Sequence, residues 1–213
     1  MGGSMIQCRG ASARMNRNLI VLVAVLALAL VGCQYRKEVS AQTDPPSTPR
    51  AALVKANYYV KRIADGDTIT VVDARGVETK VRFACIDAPE VPHTKEERES
   101  YNPADLDQFK WGRQARNRLT QLIQQGGNRV SLNVVDSDRY RRKVAEVRLP
   151  NGTLVQETLA REGLVAVYQQ YVKNCPDATA VEQAEAQAKR QRVGIWSDSQ
   201  FVQPSEWRRR YKQ

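Results

Sequence analysis

Five short stretches between Tyr58 and Leu149 carry the pattern of strands with one buried face, and that pattern narrows the fold more than anything else in the chain. Tyr58 to Ile63 and Thr68 to Val72 are rich in β-branched and aromatic residues. Asp73-Ala74-Arg75-Gly76 reads as a turn, after which Thr79 to Ile86 resumes a strand with Val81, Phe83 and Cys85 on one face. Alternation is cleanest in Arg129 to Asp136, where Val130, Leu132 and Val134 stand between polar neighbours. Ala145, Val147 and Leu149 repeat it ahead of an Asn151-Gly152 turn. Three helices are expected between and after these strands. Leu106, Phe109, Ala115, Leu119 and Leu122 or Ile123 recur near helical spacing until Gly126-Gly127 stops them. Thr153 to Glu162 is a shorter helix ended by Gly163, and Ala178, Val181, Ala184 and Ala188 mark a third.

Short antiparallel strands with interspersed helices predict an α+β, mainly β domain: a five-stranded OB-fold barrel with three helices. The charged, proline-containing segment from His93 to about Asp105 reads as a mobile loop. The domain is expected over residues 57–198, with a basic tail over 199–213.

The N-terminal residues describe an export signal. Leu19 to Val31 is an unbroken apolar run of 13 residues behind three arginines. As a helix it rises only about 20 Å, short of the roughly 30 Å hydrocarbon core. A basic lead, a short apolar run and a small residue before the cut form a secretory signal over residues 1–33. Leu30-Val31-Gly32-Cys33 resembles a lipoprotein box, which implies lipidation of Cys33 and a membrane tie through that lipid. An uncleaved anchor is the alternative. Met15 can begin the signal by itself, so residues 1–14 read as an upstream extension. Residues 34–56, with Pro45, Pro46 and Pro49, read as a disordered tether, placing the domain in the bacterial cell envelope or outside it. With Cys8 in the leader and Cys33 lipidated, Cys85 and Cys175 remain, either bridged in an oxidising compartment or buried as inert thiols. His93 is the only histidine, which argues against zinc.

A net charge of +10 favours a polyanionic partner, nucleic acid or an anionic membrane surface. Against that background stands an ordered set of charges. Asp65-Gly66-Asp67-Thr68 comes first, then Arg82, then Asp87-Ala88-Pro89-Glu90, and last Arg142 within Asp138-Arg139-Tyr140-Arg141-Arg142. A phosphodiester resists hydrolysis because its charged oxygens repel a nucleophile. Cleavage needs that charge neutralised and a water activated. Asp67 and Asp87 can hold a hard cation, with backbone carbonyls and water completing an oxygen shell. Glu90, turned back by Pro89, can act as general base, and Arg82 and Arg142 can clamp the phosphate with paired N–H groups.

Order, spacing and strand context together resemble the staphylococcal-nuclease (thermonuclease-like) family over roughly Tyr58 to Ser197. The resemblance implies that Asp67 and Asp87 bind Ca²⁺, with the backbone carbonyl of Ala88 as a further ligand and Asp65 beside them. It implies that Glu90 is the catalytic carboxylate and that Arg82 and Arg142 bind phosphate. Ala88 stands where the family has threonine, and Arg141 where it has glycine. Gly163-Leu164, Glu185-Ala186-Gln187-Ala188-Lys189 and Ile195-Trp196-Ser197 extend the match. Nucleotide-packing tyrosines follow Gly163-Leu164 in the family. Tyr171 fits one such position and Tyr168 lies one place before the other, while Tyr140 adds a third aromatic candidate. The implied activity is Ca²⁺-dependent cleavage of DNA and RNA with little sequence preference, leaving 3′-phosphate ends. No protein partner is implied, and a monomer is expected. The rival reading is a non-catalytic OB-fold module that binds nucleic acid at the cell surface, and three carboxylates facing a polyanion count against it.

Overall fold

The structure, a computed structural model, describes residues 55–211. The leader, Cys33 and nearly all of the 34–56 tether lie outside the described residues.

Strands β1 (Tyr58–Ile63), β2 (Thr68–Val72) and β3 (Glu78–Phe83) form an antiparallel meander, and the two-residue β4 (Ile86–Asp87) follows. A hairpin of β5 (Arg129–Ser137) and β6 (Lys143–Arg148) completes a closed barrel in the order β1-β2-β3-β6-β5, with β5 returning to β1. The OB-type barrel expected from the alternation is present, but it is mixed rather than antiparallel. A closed ring with an odd number of strands cannot reverse direction at every step. The pair that runs the same way is β3 with β6, where Val81, Arg82 and Phe83 face Lys143, Val144 and Ala145. That seam brings Arg142, one residue ahead of β6, to the end of β3 that carries Arg82.

Ile69, Val71, Val81, Phe83, Val130 and Val147 fill the barrel. Helix α2 (Pro103–Gln125) closes over them with Leu119, Leu122 and Ile123. It starts at Asn102, whose side chain accepts the Ala104 N–H at 2.9 Å, with Pro103 next to it. The expected loop at His93–Asp105 instead contains helix α1 (Lys95–Arg98). A reciprocal capping box between Thr94 and Glu97 nucleates it, a signal present in the sequence. Helices α3 (Val155–Arg161) and α4 (Ala178–Gln191) occupy the expected places. Buried Glu185 of α4 accepts the Val167 N–H at 2.7 Å and so pins β7 (Ala166–Val167), which pairs with Ile86 and Asp87.

The basic tail expected over 199–213 is a docked helix, α5 (Pro204–Tyr211), through most of its length. Pro204 opens it, Glu206 lies in its first turn and Arg208, Arg209 and Arg210 in its last, an order that complements the helix dipole. Trp207 is its anchor. The indole is 2% exposed, packs edge-on to Phe109 at 5.8 Å and donates Nε1–H to Asp105 Oδ1 at 3.0 Å. Burial of an indole on this scale contributes on the order of 3 kcal/mol. Gln108 Nε2 adds a hydrogen bond to the Val202 carbonyl.

Where the chain crosses α2 on its way to α5, two carboxylates meet. Burial and the adjacent Asp198 push Asp107 up to about 6. Asp198 goes the other way, to about 2: its own burial opposes this, but Trp111 Nε1 and Lys110 Nζ both donate to it at 3.1 Å. Asp107 therefore holds a proton more tightly in the folded protein than in the unfolded chain. Its contribution to stability is complete below about pH 4 and is lost as pH rises through about 6. The Asp198 contribution runs oppositely and is lost only well below pH 4, outside this window. Denaturant titrations at pH 5 and pH 7 are expected to show wild-type protein losing about 1 kcal/mol more than Asp107→Asn, after allowing for the water at this half-buried site. Equal losses in the two proteins would mean that Asp107 is ionised throughout.

Candidate active site

The acidic turn between β1 and β2 is built by its own backbone. Asp65 Oδ1 accepts the Asp67 N–H at 3.0 Å, and the Ala64 N–H bonds the Thr68 carbonyl at 2.9 Å. Gly66 is required because of what packs on it. A Cβ there would stand 2.7 Å from Ala115 Cβ and 2.8 Å from Ala88 Cβ, so a side chain would force α2 and the Asp87-Ala88 segment off the turn. Asp67 then reaches across to the second acidic segment, and its Oδ2 accepts the Ala88 N–H at 2.6 Å. Gly112 of α2 is equally constrained, since a Cβ would enter the backbone of Pro89 and Glu90. Direct pressure from α2, and Gln108 Oε1 on the Glu90 N–H at 3.4 Å, hold Glu90 at the rim.

Arg82 joins these parts. Its Nη2 donates to Asp87 Oδ1 at 2.7 Å while Nη1 pairs with Asp67 Oδ2, so one planar guanidinium spans two buried aspartates. Burial works against the Arg82 charge and lowers its pKa, and Asp87 and Asp65 oppose that. Burial raises the pKa of Asp65 itself, against the pull of Arg82. Two carboxylates removed from water this close together need a cation between them. The guanidinium fills that need here, and the same pair fits a hard metal ion. Among the described residues no three His, Cys, Asp or Glu side chains gather tightly enough to cage a metal unaided. A two-carboxylate set leaves most of the shell to backbone carbonyl and water, which suits Ca²⁺ or Mg²⁺ rather than zinc.

Arg142 lines the same cavity, of about 600 Å³, and its ion pair is with Asp138 rather than with Asp67 or Asp87. Asp138 holds it, accepting Nε–H at 2.7 Å and the backbone N–H at 2.9 Å. Arg141, standing where the resemblance expects glycine, takes the left-handed conformation glycine prefers, with φ 63°. The turn is therefore kept, at a cost of about 1 kcal/mol. Tyr168 and Tyr171 also line the cavity, in edge contact at 5.0 Å. Tyr140 is exposed at the mouth, with the Arg139 and Arg142 guanidiniums over its ring at 4.9 and 5.6 Å. Cys85 and Cys175 also line the cavity and are joined as a disulfide, with Cα atoms 5.8 Å apart.

One residue of this site was not among the sequence candidates. Arg208 of α5 donates Nη2–H to Asp87 Oδ2 at 2.8 Å and Nη1–H to Glu90 Oε1 at 2.7 Å. Its burial disfavours the charge, but Asp87 and Glu90 more than offset this and raise its pKa. The available signal was a helix start at Pro204-Ser205-Glu206 followed by a lone tryptophan, which marks a docked turn rather than a solvated end.

The family model described as staphylococcal nuclease homologue matches residues 80–198. The chain belongs to the staphylococcal nuclease family. It is 34% identical over 151 residues to an uncharacterized endonuclease of Escherichia coli O157:H7, covering 71% of this chain and 84% of that protein. Similarity to a micrococcal nuclease of Shigella flexneri is 33% over 161 residues, covering 72% and 80%. Endonuclease YncB of Bacillus subtilis is 31% identical over 170 residues, covering 79% and 74%. The protein is thus a nuclease, which sets the non-catalytic module aside. The family match begins at Lys80. Asp65 and Asp67 precede it, so their place in this staphylococcal nuclease homologue rests on the geometry above.

Proposed function

We propose that this nuclease is a Ca²⁺-dependent phosphodiesterase that hydrolyses DNA and RNA with little sequence preference and leaves 3′-phosphate ends. The observation that carries this reading is the bridging of Asp67 and Asp87 by one guanidinium, with Glu90 and Arg142 lining the same cavity. Asp67, Asp87 and the Ala88 carbonyl would hold the cation, with Asp65 beside them. It supplies Lewis acidity and neutralises phosphate charge. Arg82 and Arg142, which line the same cavity, stabilise the charge that builds on the phosphate oxygens. Glu90 accepts a proton from the attacking water, whose oxygen bonds to phosphorus while the P–O5′ bond breaks. Solvent protonates the departing oxygen. Tyr168 and Tyr171 offer ring faces on which any base can stack, consistent with sequence tolerance, and Tyr140 flanks the entrance. The apolar run before Cys33 supports export and anchoring through a lipid on that cysteine.

The test is cleavage of single- and double-stranded DNA and of RNA by the purified protein, with Ca²⁺, with Mg²⁺ and with excess chelator. Activity abolished by the chelator and restored by Ca²⁺ is expected, with new ends that a 3′-phosphatase can trim. Undiminished cleavage in chelator would overturn the calcium assignment.

A further inference from the structure

The carboxylate pair has a donor or a cation on every oxygen. Asp67 Oδ2 takes the Ala88 N–H and Arg82, and its Oδ1 accepts from Thr68 Oγ1 at 3.1 Å. Asp87 Oδ1 takes Arg82 and Oδ2 takes Arg208, whose other nitrogen is on Glu90 Oε1. A divalent ion arriving at this pair meets two guanidiniums at hydrogen-bonding distance from the oxygens it needs. Each such +1 to +2 repulsion opposes entry of the ion at this range, even at the effective dielectric of a protein surface. One arginine has to withdraw.

Arg82 is poorly placed to do so. Its side chain is 14% exposed, springs from the barrel strand β3 and spans both aspartates. Arg208 is 33% exposed and reaches the cavity on a long unbranched side chain. The helix beneath it can stay fixed, because Trp207 on Asp105 and Phe109, and Val202 on Gln108, tie α5 and its approach to α2. Only side-chain torsions need to change.

We propose that Arg208 is a resident counter-ion of the active site, which a divalent cation displaces from Asp87 and Glu90. This rests on the reading of Asp67 and Asp87 as cation ligands. In the cation-free protein Arg208 neutralises the cluster and keeps Glu90 engaged, so the candidate base becomes free to accept a proton only when the cation takes over the charge. The C-terminal helix thereby sets the cation concentration at which the enzyme switches on.

Isothermal titration of the full protein with Ca²⁺ at low ionic strength tests this without reference to activity. Arg208→Gln is expected to bind Ca²⁺ at least about tenfold more tightly than wild type, and Arg208→Lys, which keeps the charge, to stay within about threefold of it. Arg210→Gln removes the same charge from the same helix, but from an exposed residue paired with Glu206, and should leave the affinity within about twofold. Unchanged or weaker binding in Arg208→Gln overturns the proposal. Equal tightening in Arg208→Gln and Arg210→Gln also overturns it, since the effect is then net charge alone. If none of the four proteins binds Ca²⁺, the calcium reading itself falls. If all four bind it alike, only the role of Arg208 falls. Circular dichroism before titration establishes that each variant is folded.

Discussion

On the proposed role of Glu90 as general base, Glu90→Gln is expected to lower the turnover number for phosphodiester cleavage by about 10²–10⁴-fold and to leave substrate binding intact. The exchange is well isolated by its surroundings. Pressure from Gly112, the ring of Pro89 and the Gln108 hydrogen bond all act on the Glu90 backbone, so none depends on the carboxylate. A glutamine oxygen still accepts from Arg208 Nη1, as Glu90 Oε1 does at 2.7 Å. The variant loses the negative charge and the capacity to take a proton, and little else. Removing one negative charge from a surface that meets a polyanion does not weaken association, and it strengthens it slightly at low salt. The expected pattern is thus a collapse of kcat with KM equal or lower, measured under saturating Ca²⁺ with unfolding midpoints checked in parallel. A loss below about fivefold would remove Glu90 from the proton transfer and leave the cation and the two arginines to carry the reaction. A rise in KM at constant kcat would make it a binding residue instead.

Much of this architecture is legible in the sequence because one face of each main strand is buried. Val81 and Phe83, or Ala145 and Val147, announce a period of two that a half-buried strand satisfies, and all four are buried. The expected pattern fails at two places: Val134 is 47% exposed where a bulge shifts the register and Val135 packs on the core instead, and Cys85 lies beyond the end of β3, in the bend before β4. Asp67 and Asp87 are readable as a pair because each lies at a strand end joined to its neighbours by short turns. Other features have no local signature. The parallel pairing of β3 with β6 follows from closure of an odd-numbered ring, a property of the assembled barrel. Two-residue strands such as β4 and β7 are too short for any periodicity, yet their pairing fixes Asp87 through Ala166. The docking of α5 rests on one apolar side chain, Trp207, amid arginines, so its composition resembles a solvated tail. Arg208 and its partners Asp87 and Glu90 are 121 and 118 positions apart in the chain, which no motif spans. Helix α1 is a different case: the capping box at Thr94 and Glu97 is legible, and only the density of charge around it gives the segment the look of a loop.

Removing the disulfide by replacing both Cys85 and Cys175 with alanine is expected to cost about 4 kcal/mol of folding stability. The bridge closes a loop across a sequence separation of 90 residues, and confining a loop of that size restricts the unfolded chain by about 4.6 kcal/mol in the loop-entropy treatment, an upper bound on the loss. For a domain of this length the unfolding midpoint falls by about 8–16 °C. The position of the bridge adds a second effect. Cys85 sits at φ 71°, a left-handed conformation that costs a residue with a side chain about 1–2 kcal/mol, and it forms the bend between β3 and β4. Two restraints hold that bend: the bridge, and the Cys85 carbonyl accepting the Tyr168 N–H at 2.7 Å. Without the bridge, relaxation at Cys85 is transmitted two residues on to Asp87, and the far end of the bridge releases the segment that carries Tyr171. The double variant should therefore lose cation affinity and cleavage several degrees below its own unfolding midpoint, whereas wild type retains both nearly to its transition. Reductant supplies the internal control. Thermal unfolding of wild type in a strong thiol reductant should approach that of the double variant, and the variant itself should not respond. A wild-type midpoint indifferent to reductant would mean that the two cysteines stand as thiols in solution, and the bend at Cys85 would then be held by packing and the Tyr168 hydrogen bond alone.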